Sequence, residues 1–386
     1  MAFPQSLFSL IVTIDKNIYM KFIISRDQIL MPLQQIVGVI EKRQTLLILS
    51  NVLLQVDDNQ LTMTGSDTEI QIVSKLNLES EARNGIITVP ARKFLDICRL
   101  LPPGSEVKFE LHEDKVKLSS GRSRFSLSTL PADDYPEFNE ADFDYQFLLN
   151  AGKLKKGLDK TIFCMANQDV RYYLNGLMLN VSNSRLKLVA SDGHRLAIFE
   201  DDIGQPTGYE ARIILPRKAV QEISRLLDDA DAELNIQFSN NQIRLYYKDV
   251  VFSSKLIDAK FPDFSKVFNQ PFMTPLLIQK QLLKEALTRV AILSNEKYKG
   301  VTFDFNHDQL KLSTHNPEHD EAEEELIIEH QGQALSIAFN SQYMLEAITN
   351  LDSELAVMTI ASNASSCFIE EPEQPSFKFI VMPMRM

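Results

Sequence analysis

The chain has 386 residues, of which 44% are hydrophobic and 24% are charged, proportions ordinary for a protein that folds into packed domains. This length predicts two or three domains, and no apolar run approaches the roughly 20 residues of a membrane span. The formal net charge of −12 argues at first sight against a nucleic-acid partner. The cysteines Cys98, Cys164 and Cys367 form no CxxC pair, so we expect buried thiols in a reducing compartment.

The first 19 residues stand apart from the rest of the chain. Their apolar stretch at 8–14 has no basic residue before it and no small-residue cleavage site after it, so it is a poor signal peptide. We expect either an upstream start codon or a loose extension here. The first folded element, a strand at 21–24, then begins after Met20.

From residue 20 onward the chain contains the same pattern three times. Each copy has a polar turn, an alternating strand and a small polar stop, and the copies lie at 58–67, 183–192 and 306–316. Ser66 and Ser191, at the first two stops, are 125 residues apart. A period this long indicates a repeated domain rather than a solenoid unit.

A second repeated segment has the same spacing. It lies at 89–97, 215–223 and 339–348, and its third copy loses the basic pair. The first two copies also share an aromatic–proline step, at Tyr135–Pro136 and Phe261–Pro262, which suits a link between domains because proline restricts the residue before it. We predict an N-terminal extension at 1–19 and domains at 20–144, 145–265 and 266–386.

Each copy opens with a helical pattern and carries a second helix after a set of strands. Ser25 suits the N-cap of the first helix, whose apolar residues Ile29, Leu33 and Ile36 recur at helical spacing. The candidate helices are 25–43, 90–101, 152–164, 216–229, 279–296 and 339–351. Each domain is therefore expected to be α+β, with two helices laid on mostly antiparallel strands.

The charge is unevenly distributed along the chain. The six candidate helices hold 16 Lys and Arg against 10 Asp and Glu, a net of +6, and the remaining residues carry a net of −18. Helix propensity favours Glu as well as Lys and Arg, so it does not explain the bias. A basic helical layer on an otherwise acidic protein is typical of a surface that contacts the DNA backbone without reading its sequence.

Five stretches of the chain carry a family resemblance, namely Val89–Phe94, Gly121–Pro131, Gln168–Gly176, Asp192–Leu196 and Val381–Arg385. Together with the threefold repeat they resemble the bacterial DNA polymerase III β subunit family, the β sliding clamps. The match runs from Met20 to Met386 without a large gap. It implies three similar clamp domains per chain and a head-to-tail dimer that forms a closed ring with helices lining the hole.

The size of such a ring can be checked with elementary geometry. Six helices side by side, at roughly 10 Å each, would close into a circle of roughly 19 Å, too narrow for a hydrated duplex about 20 Å wide. Twelve helices from two chains give roughly 38 Å, which admits DNA with a water layer. A head-to-tail contact that closes after two copies satisfies this requirement.

The resemblance implies a non-catalytic processivity subunit that encircles duplex DNA and tethers replicative and repair polymerases through a hydrophobic peptide pocket. The implied partners are duplex DNA, a second copy of the chain, the DNA polymerase III α subunit and other polymerases, and the clamp-loader δ subunit. No membrane partner is implied, and the expected location is cytoplasmic.

Catalytic motifs are missing from the sequence. We find no Walker loop and no GxGxxG, and Ser191, Asp192 and His194 are neighbours in one turn, which cannot adopt the geometry of a catalytic triad. The acidic run at 319–325 is interpreted as a solvated face or partner patch, so no metal and no cofactor are expected. A nuclease or modifying enzyme on a DNA-binding scaffold, and an interaction scaffold without DNA, are the alternatives.

Three sets of site residues follow. Candidate DNA contacts come from the basic helices and, for Arg43, Gln168, Tyr172 and Tyr173 above all, from the resemblance; the full set is Arg43, Arg92, Lys93, Lys155, Lys156, Gln168, Tyr172, Tyr173, Arg217, Lys218 and Arg225. The resemblance places a dimer interface at Arg122, Arg124, Phe125, Ile292, Leu293, Glu321, Glu323 and Glu324.

The third set is the peptide pocket, for which the apolar, methionine-rich tail is the signal visible in the residues themselves. Methionine adapts to varied partners, and Pro383 cannot continue a central strand, so Met382–Met386 are expected to line a groove. The family is usually described with Thr at the position of Ser191 and Arg at that of Lys266. The full set is Leu174, Ser191, Gly193, His194, Arg195, Leu196, Pro262, Lys266, Val267, Asn340, Tyr343, Ser366, Val381, Met382, Pro383, Met384, Arg385 and Met386.

Overall fold

The structure is a computed structural model that describes residues 20–41, 46–138, 142–269, 271–329, 334–373 and 376–384. The predicted extension at 1–19 lies outside these residues, as do the candidate DNA contact Arg43 and the candidate pocket residues Arg385 and Met386.

Each third of the chain has the same order of elements: a strand, a helix, four strands, a second helix and three strands. The first third contains β1 (Lys21–Ser25), α1 (Arg26–Val39), β2 (Asn51–Asp57), β3 (Gln60–Ser66), β4 (Ile70–Asn77), β5 (Gly85–Pro90), α2 (Ala91–Leu100), β6 (Glu106–His112), β7 (Lys115–Ser120) and β8 (Ser123–Ser128).

The second third contains β9 (Tyr145–Asn150), α3 (Ala151–Thr161), β10 (Gly176–Ser182), β11 (Arg185–Ser191), β12 (Arg195–Asp202), β13 (Glu210–Pro216), α4 (Arg217–Leu226), β14 (Glu233–Phe238), β15 (Gln242–Tyr247) and β16 (Val250–Lys255). The last third contains β17 (Leu276–Gln279), α5 (Lys280–Ala291), β18 (Gly300–Asn306), β19 (Gln309–His315), β20 (Glu321–Ile327), β21 (Leu335–Asn340), α6 (Ser341–Thr349), β22 (Leu355–Ile360), β23 (Cys367–Glu370) and β24 (Phe377–Val381). The identical order confirms the threefold α+β repeat.

The chain divides into two compact units. The first is formed by the described residues of Met1–Glu140 with Tyr246–Ser253, and the second by those of Ala141–Leu245 with Ser254–Met386. In the first unit β1-β6-β7-β8 form one antiparallel sheet, and β5-β2-β3-β4 are neighbours in another.

The second unit holds the second and third repeats together through one sheet. Its strand order is β13-β10-β11-β12-β24-β23-β22-β17, so β12 of the second repeat pairs with β24 of the third. In the antiparallel register Leu196 lies opposite Ile380, and both side chains are buried. A separate sheet, β20-β19-β18-β21, belongs to the third repeat alone and ends at β20.

The helices begin where the sequence predicts and end earlier than it predicts. Ser25 accepts a hydrogen bond from the Asp27 N–H and Gln28 completes a capping box, which satisfies otherwise unpaired N–H groups of α1. Helix α5 ends at Ala291, not 296, because the N–H groups that follow turn back three residues, as in Ser294 to the Ala291 carbonyl at 3.1 Å. The predicted helix ends at 43, 164, 229 and 351 also lie beyond the observed ends at Val39, Thr161, Leu226 and Thr349.

Within each repeat the two helices contact each other and lie against a sheet. The approach is close at Gly157 of α3, where an added Cβ would lie 2.6 Å from side-chain atoms of Leu188 and Phe199. Gly65 of β3 has the same relation to Ile36 of α1, at 2.5 Å. A side chain at either position would force apart a packed core.

All three cysteines, Cys98, Cys164 and Cys367, are buried and unpaired, as expected. Burial raises the thiol pKa of Cys98 and of Cys367 to about 12. These thiols therefore stay protonated near neutral pH. Among the described helices, none combines the length and the apolar character needed to cross a membrane.

Candidate functional site

A cavity of about 310 Å³ lies where β12 and β24 pair, and both the second and third repeats contribute to its wall. Its base is an apolar cluster that includes Leu174, Leu196 and Ile380. The residues that line it are Arg171, Tyr173, Leu174, Ser191, Gly193, Arg195, Leu196, Phe261, Pro262, Asp263, Phe264, Val267, Ile380 and Met382. An apolar cavity with a few polar groups at its rim is suited to binding a hydrophobic segment.

The turn between β11 and β12 forms the polar rim of the cavity. Ser191 Oγ donates to the Arg195 carbonyl at 2.7 Å and accepts from the Gly193 N–H at 3.0 Å. Asp192 Oδ1 accepts from the N–H groups of His194 and Arg195 at 2.9 and 3.0 Å. These hydroxyl and carboxylate groups are used to hold the turn, so Ser191, Asp192 and His194 have no triad geometry.

Gly193 is required by the shape of this turn. Its φ of +87° lies in the left-handed region, and an added Cβ would lie 2.6 Å from Nη1 of Arg171. Arg171 packs over the glycine and donates from Nη2 to the Asp192 carbonyl at 3.0 Å. The guanidinium thus occupies the space that any side chain at 193 would need.

Asp169 holds Arg171 in that position. Its carboxylate accepts from Arg171 Nε at 3.0 Å, from Nη2 at 2.9 Å and from the Arg171 N–H at 2.8 Å. The side-chain hydrogen bond from Arg171 is the main cause that lowers the pKa of Asp169 to about 2, and the backbone bond adds to it. One wall of the cavity therefore depends on an ionised carboxylate.

Arg195 connects the turn to the third repeat. Its Nη1 contacts Glu346 of α6, Nη2 donates to the Phe163 carbonyl at 2.7 Å, and Nε donates to Asp192 Oδ2 at 3.0 Å. The guanidinium also lies 4.3 Å from the ring centroid of Tyr343. This arrangement brings the predicted residues Arg195 and Tyr343 together, although Tyr343 does not line the cavity.

The tail follows the predicted break at Pro383 only in part. Strand β24 ends at Val381, and Met382, which is exposed, lines the cavity. Val381, a candidate pocket residue, is only 1% exposed and packs in the core. Met382 and Met384 are held by backbone bonds, to the His194 carbonyl at 2.9 Å and the Ala338 carbonyl at 2.8 Å. Met384 lines two neighbouring hollows instead.

Other predicted pocket residues lie around the cavity without lining it. Asn340 caps α6 by accepting from the N–H groups of Gln342 and Tyr343. Ser366 is buried, whereas Lys266 and His194 are exposed. His194 stacks on Tyr343, with ring centroids 6.5 Å apart, which places it beside Arg195.

The structure adds wall residues that the sequence did not suggest, namely Arg171, Phe261, Asp263, Phe264 and Ile380. Tyr173, predicted to contact DNA, also lines the cavity. The Phe261–Pro262 step, which the sequence favours as a link between domains, forms part of the wall. An aromatic pair around a proline is the signal that could have identified it.

The first repeat forms the same turn with the same hydrogen bonds, but it lacks the arginine that follows the turn in the second repeat. Ser66 Oγ donates to the Ile70 carbonyl at 3.0 Å and accepts from the Thr68 N–H at 3.1 Å. Thr68 has a φ of 76°, the counterpart of Gly193. Ile70 stands where Arg195 stands in the second repeat, so the cation that reaches the next repeat is specific to the second copy of the turn.

The candidate DNA contacts lie on or beside the helices, and several have partners within the chain. Arg92 and Lys93 are exposed on α2, and Tyr172 and Gln168 are exposed before β10. Arg217 donates to the Met165 carbonyl at 2.7 Å, Arg225 pairs with Glu222 at 2.6 Å and Lys155 pairs with Asp159 at 3.0 Å. Lys156 and Lys218 are half-buried on α3 and α4.

The candidate interface residues lie at two sheet edges. Arg122 and Arg124 are exposed beside and on β8, the last strand of its sheet, with Phe125 half-buried. The acidic candidates Glu321, Glu323 and Glu324 lie on β20, the last strand of another sheet. Directly after α5, the helix that contacts β20, Ile292 is 75% exposed and Leu293 is half-buried.

Two of these acids already have partners in the chain. Arg289 of α5 donates from Nε to Glu324 Oε2 at 2.9 Å, and Lys311 pairs with Glu323 at 2.7 Å. The hydrogen bond from Arg289 is the main cause that lowers the pKa of Glu324. Over the described parts of the chain, no group of His, Cys, Asp and Glu has an arrangement that could hold a metal ion.

Comparison with known proteins agrees with this architecture. Profiles of the DNA polymerase III beta subunit match the chain as N-terminal domain at 20–139, central domain at 148–263 and C-terminal domain at 265–385. The Beta sliding clamp of Pseudomonas aeruginosa is 42% identical over 367 residues, covering 95% of this chain and 100% of that protein. The Beta sliding clamp of Escherichia coli K12 is 43% identical with the same coverage.

A solved structure gives the same result in three dimensions. The DnaN sliding clamp of Pseudomonas aeruginosa, solved bound to griselimycin, has a TM-score of 0.92 at 42% identity and covers 95% of this chain and 100% of its own. The fold and these relatives define the class as DNA sliding clamps, non-catalytic processivity factors of replication. The chain belongs to the DNA polymerase III beta subunit family, which confirms the resemblance seen in the sequence.

The ion pair that supports the cavity wall gives a test by titration. The Asp169 carboxylate should titrate with a midpoint near pH 2, and Arg171→Ala should raise that midpoint toward ~3.9 because the charged hydrogen-bond donor is removed. The folded-state pKa is lowered, so this pair is complete above about pH 4 and is lost as the pH falls toward 2. Carbon-13 NMR of labelled aspartate side chains measures both midpoints, and an unchanged midpoint in Arg171→Ala would contradict the assignment.

Proposed function

We propose that two copies of this chain close head to tail into a ring around duplex DNA, and that the cavity beside β12 and β24 tethers polymerases to that ring. The observation that carries this proposal is the pairing of β12 with β24. In it, the third of the four strands between the helices of the second repeat pairs with the last strand of the third repeat. The counterparts of these strands at the ends of the chain, β20 and β8, are both sheet edges.

An exposed strand edge with unpaired N–H and C=O groups is a template for another strand. Pairing β20 of one copy with β8 of a second copy would repeat the internal junction between chains. Because the two edges differ, the contact is heterologous, and it closes into a ring when the rotation permits.

The register of the β12–β24 pair predicts which side chains lie opposite each other between β20 and β8. Phe199 lies opposite Phe377, and the Glu200 N–H donates to the Ser376 carbonyl at 2.6 Å. The second and third repeats can be aligned through their strand pairs β11–β12 and β19–β20. In this alignment Glu324 corresponds to Phe199, and Glu325 corresponds to Glu200. Phe125 and Arg124 take the places of Phe377 and Ser376. Arg124 would then face Glu325 and Phe125 would face Glu324, and the resemblance to the sliding clamps brings Phe125 near Ile292 and Leu293.

Removing the apolar part of this contact should leave a folded monomer. Ile292→Ala combined with Leu293→Ala deletes side chains that are exposed or half-buried in the free chain, so the fold should persist while the dimer dissociates. Light scattering measures the mass, and circular dichroism reports the fold. A dimer that survives, or a chain that unfolds, would argue against this interface.

A charge exchange tests the register itself. Arg124→Glu and Glu325→Arg should each weaken the dimer by placing like charges opposite each other, and the two together should restore it. Arg122→Glu combined with Glu325→Arg is the matched control, since residue 122 is not opposite 325 in this register. Restoration by the control pair as well would mean that only net charge matters.

The DNA-facing surface is proposed to be the helical layer. Its candidate contacts are basic side chains on α2, α3 and α4, and charge of this kind binds phosphates through release of counterions without reading bases. Tyr172 is exposed and would stack on a base or sugar. Arg217 serves the fold through its carbonyl contacts, so its loss would confuse stability with binding.

Neutralising the helical layer should weaken DNA binding equally for all sequences. Lys93→Ala, Lys155→Ala and Lys156→Ala together should lower the slope of log K against log salt by roughly 0.9 for each phosphate that is no longer neutralised. Lys75→Ala, Lys115→Ala and Lys117→Ala remove the same charge from strands β4 and β7 and should leave the slope unchanged.

Retention on DNA topologies completes this test. The loaded ring should stay on nicked circular DNA and leave after linearisation. Equal retention on both forms, or a sequence-dependent loss in the triple variant, would contradict a ring that tracks the backbone.

The cavity is proposed to take short hydrophobic peptides from the DNA polymerase III α subunit, other polymerases and the clamp-loader δ subunit, in the cytoplasm. Its apolar base and its flexible Met382 suit varied apolar side chains. The rim supplies backbone and charged groups that can orient a peptide. Because these peptides would bind the same cavity, the polymerases and the clamp loader would compete for it.

Peptide binding should depend on the side chains that line the cavity. Met382→Ala and Phe264→Ala should each weaken binding of a polymerase-derived hydrophobic peptide by about tenfold, because both side chains line the cavity. Met31→Ala is the matched control, since Met31 is exposed on α1 and does not line the cavity. Deleting Met382–Met386 should abolish binding in a folded dimer. Fluorescence polarisation measures the affinity, and wild-type affinity in the deletion would place the pocket elsewhere.

A further inference from the structure

Lys160, in the last turn of α3, ties the second repeat to the third at the level of the helices. It is only 7% exposed, and its Nζ donates to the Asn350 carbonyl at the end of α6 and to Asp352 Oδ1 at 2.6 Å. Glu371 Oε1 lies 3.9 Å away. A cation at this place is favourable because the last carbonyls of a helix lack intrahelical partners. The internal junction is therefore closed by strand pairing and also by a cation that caps the neighbouring repeat's second helix.

The counterpart of Lys160 in the third repeat is Arg289. Helices α3 and α5 both follow a short strand, and their buried residues Leu154 and Leu158 match Leu283 and Leu287, which aligns position 160 with position 289. Arg289 lies in the last turn of α5, three residues before the exposed Ile292. Arg289 therefore has the same position at the proposed contact between copies that Lys160 has at the junction of the second and third repeats.

Arg289 has donors left for a second partner. Its Nε and Nη2 are engaged by Glu324, and its Nη1 lies 3.9 Å from Glu285 Oε2. A guanidinium carries five N–H groups in a planar fork, so one edge can hold Glu324 while the other donates elsewhere. The side chain is more than half exposed.

The counterpart of Asn350 in the first repeat is Leu100. Buried Ala91, Phe94 and Cys98 of α2 match Ser341, Met344 and Ile348 of α6, and this puts Leu100 at the helix end where Asn350 stands. Leu100 is 86% exposed, so the C-terminal end of α2 is open to a partner. Arg26 already binds the Cys98 and Arg99 carbonyls, which shows that guanidinium groups are accepted at this end.

We propose that Arg289 of one copy caps the C-terminal end of α2 in a second copy, at the Leu100 carbonyl, as Lys160 caps α6 within the chain. The partner is a second copy of this chain, and the inference rests on the proposed ring. Arg289 is then a positioning residue of the ring contact that also keeps Glu324 in place on β20.

The dissociation constant of the full-length dimer tests this role. Arg289→Met should weaken the dimer about tenfold, the upper range for a cation at a helix C-terminus. Arg289→Lys should stay within about twofold of the wild type, because lysine performs this function at position 160. Sedimentation velocity over a dilution series measures the constants, and thermal unfolding establishes that each variant is folded.

A second substitution separates contact across the ring from support of Glu324 within one chain. Pro102 is exposed and occupies the position after α2 that Asp352 occupies after α6. Because Lys160 binds Asp352, Pro102→Asp would offer Arg289 the corresponding carboxylate. Pro102→Asp should tighten the dimer about fivefold with Arg289 present and should have no effect with Arg289→Met. Arg289 acting only within its own chain would give no such coupling.

The outcomes distinguish this inference from the ring itself. An unchanged dimer in Arg289→Met, failure of Arg289→Lys to preserve it, or an absence of coupling with Pro102→Asp would overturn the capping role while the ring stands. A dimer that also survives Ile292→Ala with Leu293→Ala would overturn the ring contact and this inference with it.

Discussion

The antiparallel pairing of β12 with β24 is the contact on which the functional half of the chain depends. It brings Leu196 and Ile380 together under the cavity and places Met382 next to the turn at Gly193. A slip by one residue would exchange the faces of Ile380 and Val381, because successive side chains in a strand point to opposite sides. The cavity is thus a product of register, and neither repeat could form it alone.

Two cations reinforce this pairing where α3 and the β11–β12 turn approach the third repeat. Lys160 reaches the end of α6, and Arg195 reaches Glu346 within α6 and the ring of Tyr343. Ion pairs that are largely buried add little net stability, since desolvation offsets their attraction, but they penalise arrangements that leave a charge unpaired. Their effect here is to select one orientation of the third repeat against the second.

Much of the fold follows from local pattern, and much of the site does not. The threefold order of elements and the helix start at Ser25 are visible in periodicity and capping residues, whereas the acidic run at 319–325, interpreted as a solvated face or partner patch, contributes to the edge strand β20. The predicted helix at 279–296 is too long because the turn after α5 tightens through backbone bonds that residue type does not reveal. Val381, a candidate pocket residue, lies in the core, and Phe261, expected in a link between domains, lies in the cavity wall, because burial depends on which distant strand lies alongside. The turn at Ser66 repeats that at Ser191, so turn chemistry alone could not select the functional copy.

In the ring proposed above, the unequal edges β8 and β20 also determine how free chains assemble. Complementary ends that differ from each other permit indefinite head-to-tail growth as readily as closure. Closure prevails when the second contact forms within an assembly of two, where the effective concentration of one end near the other is far above that of free chains. Any change that alters the angle between repeats would reduce that local concentration without weakening a single contact. Such a variant would be driven toward filaments, and the contacts that Lys160 and Arg195 make with the third repeat would oppose that outcome.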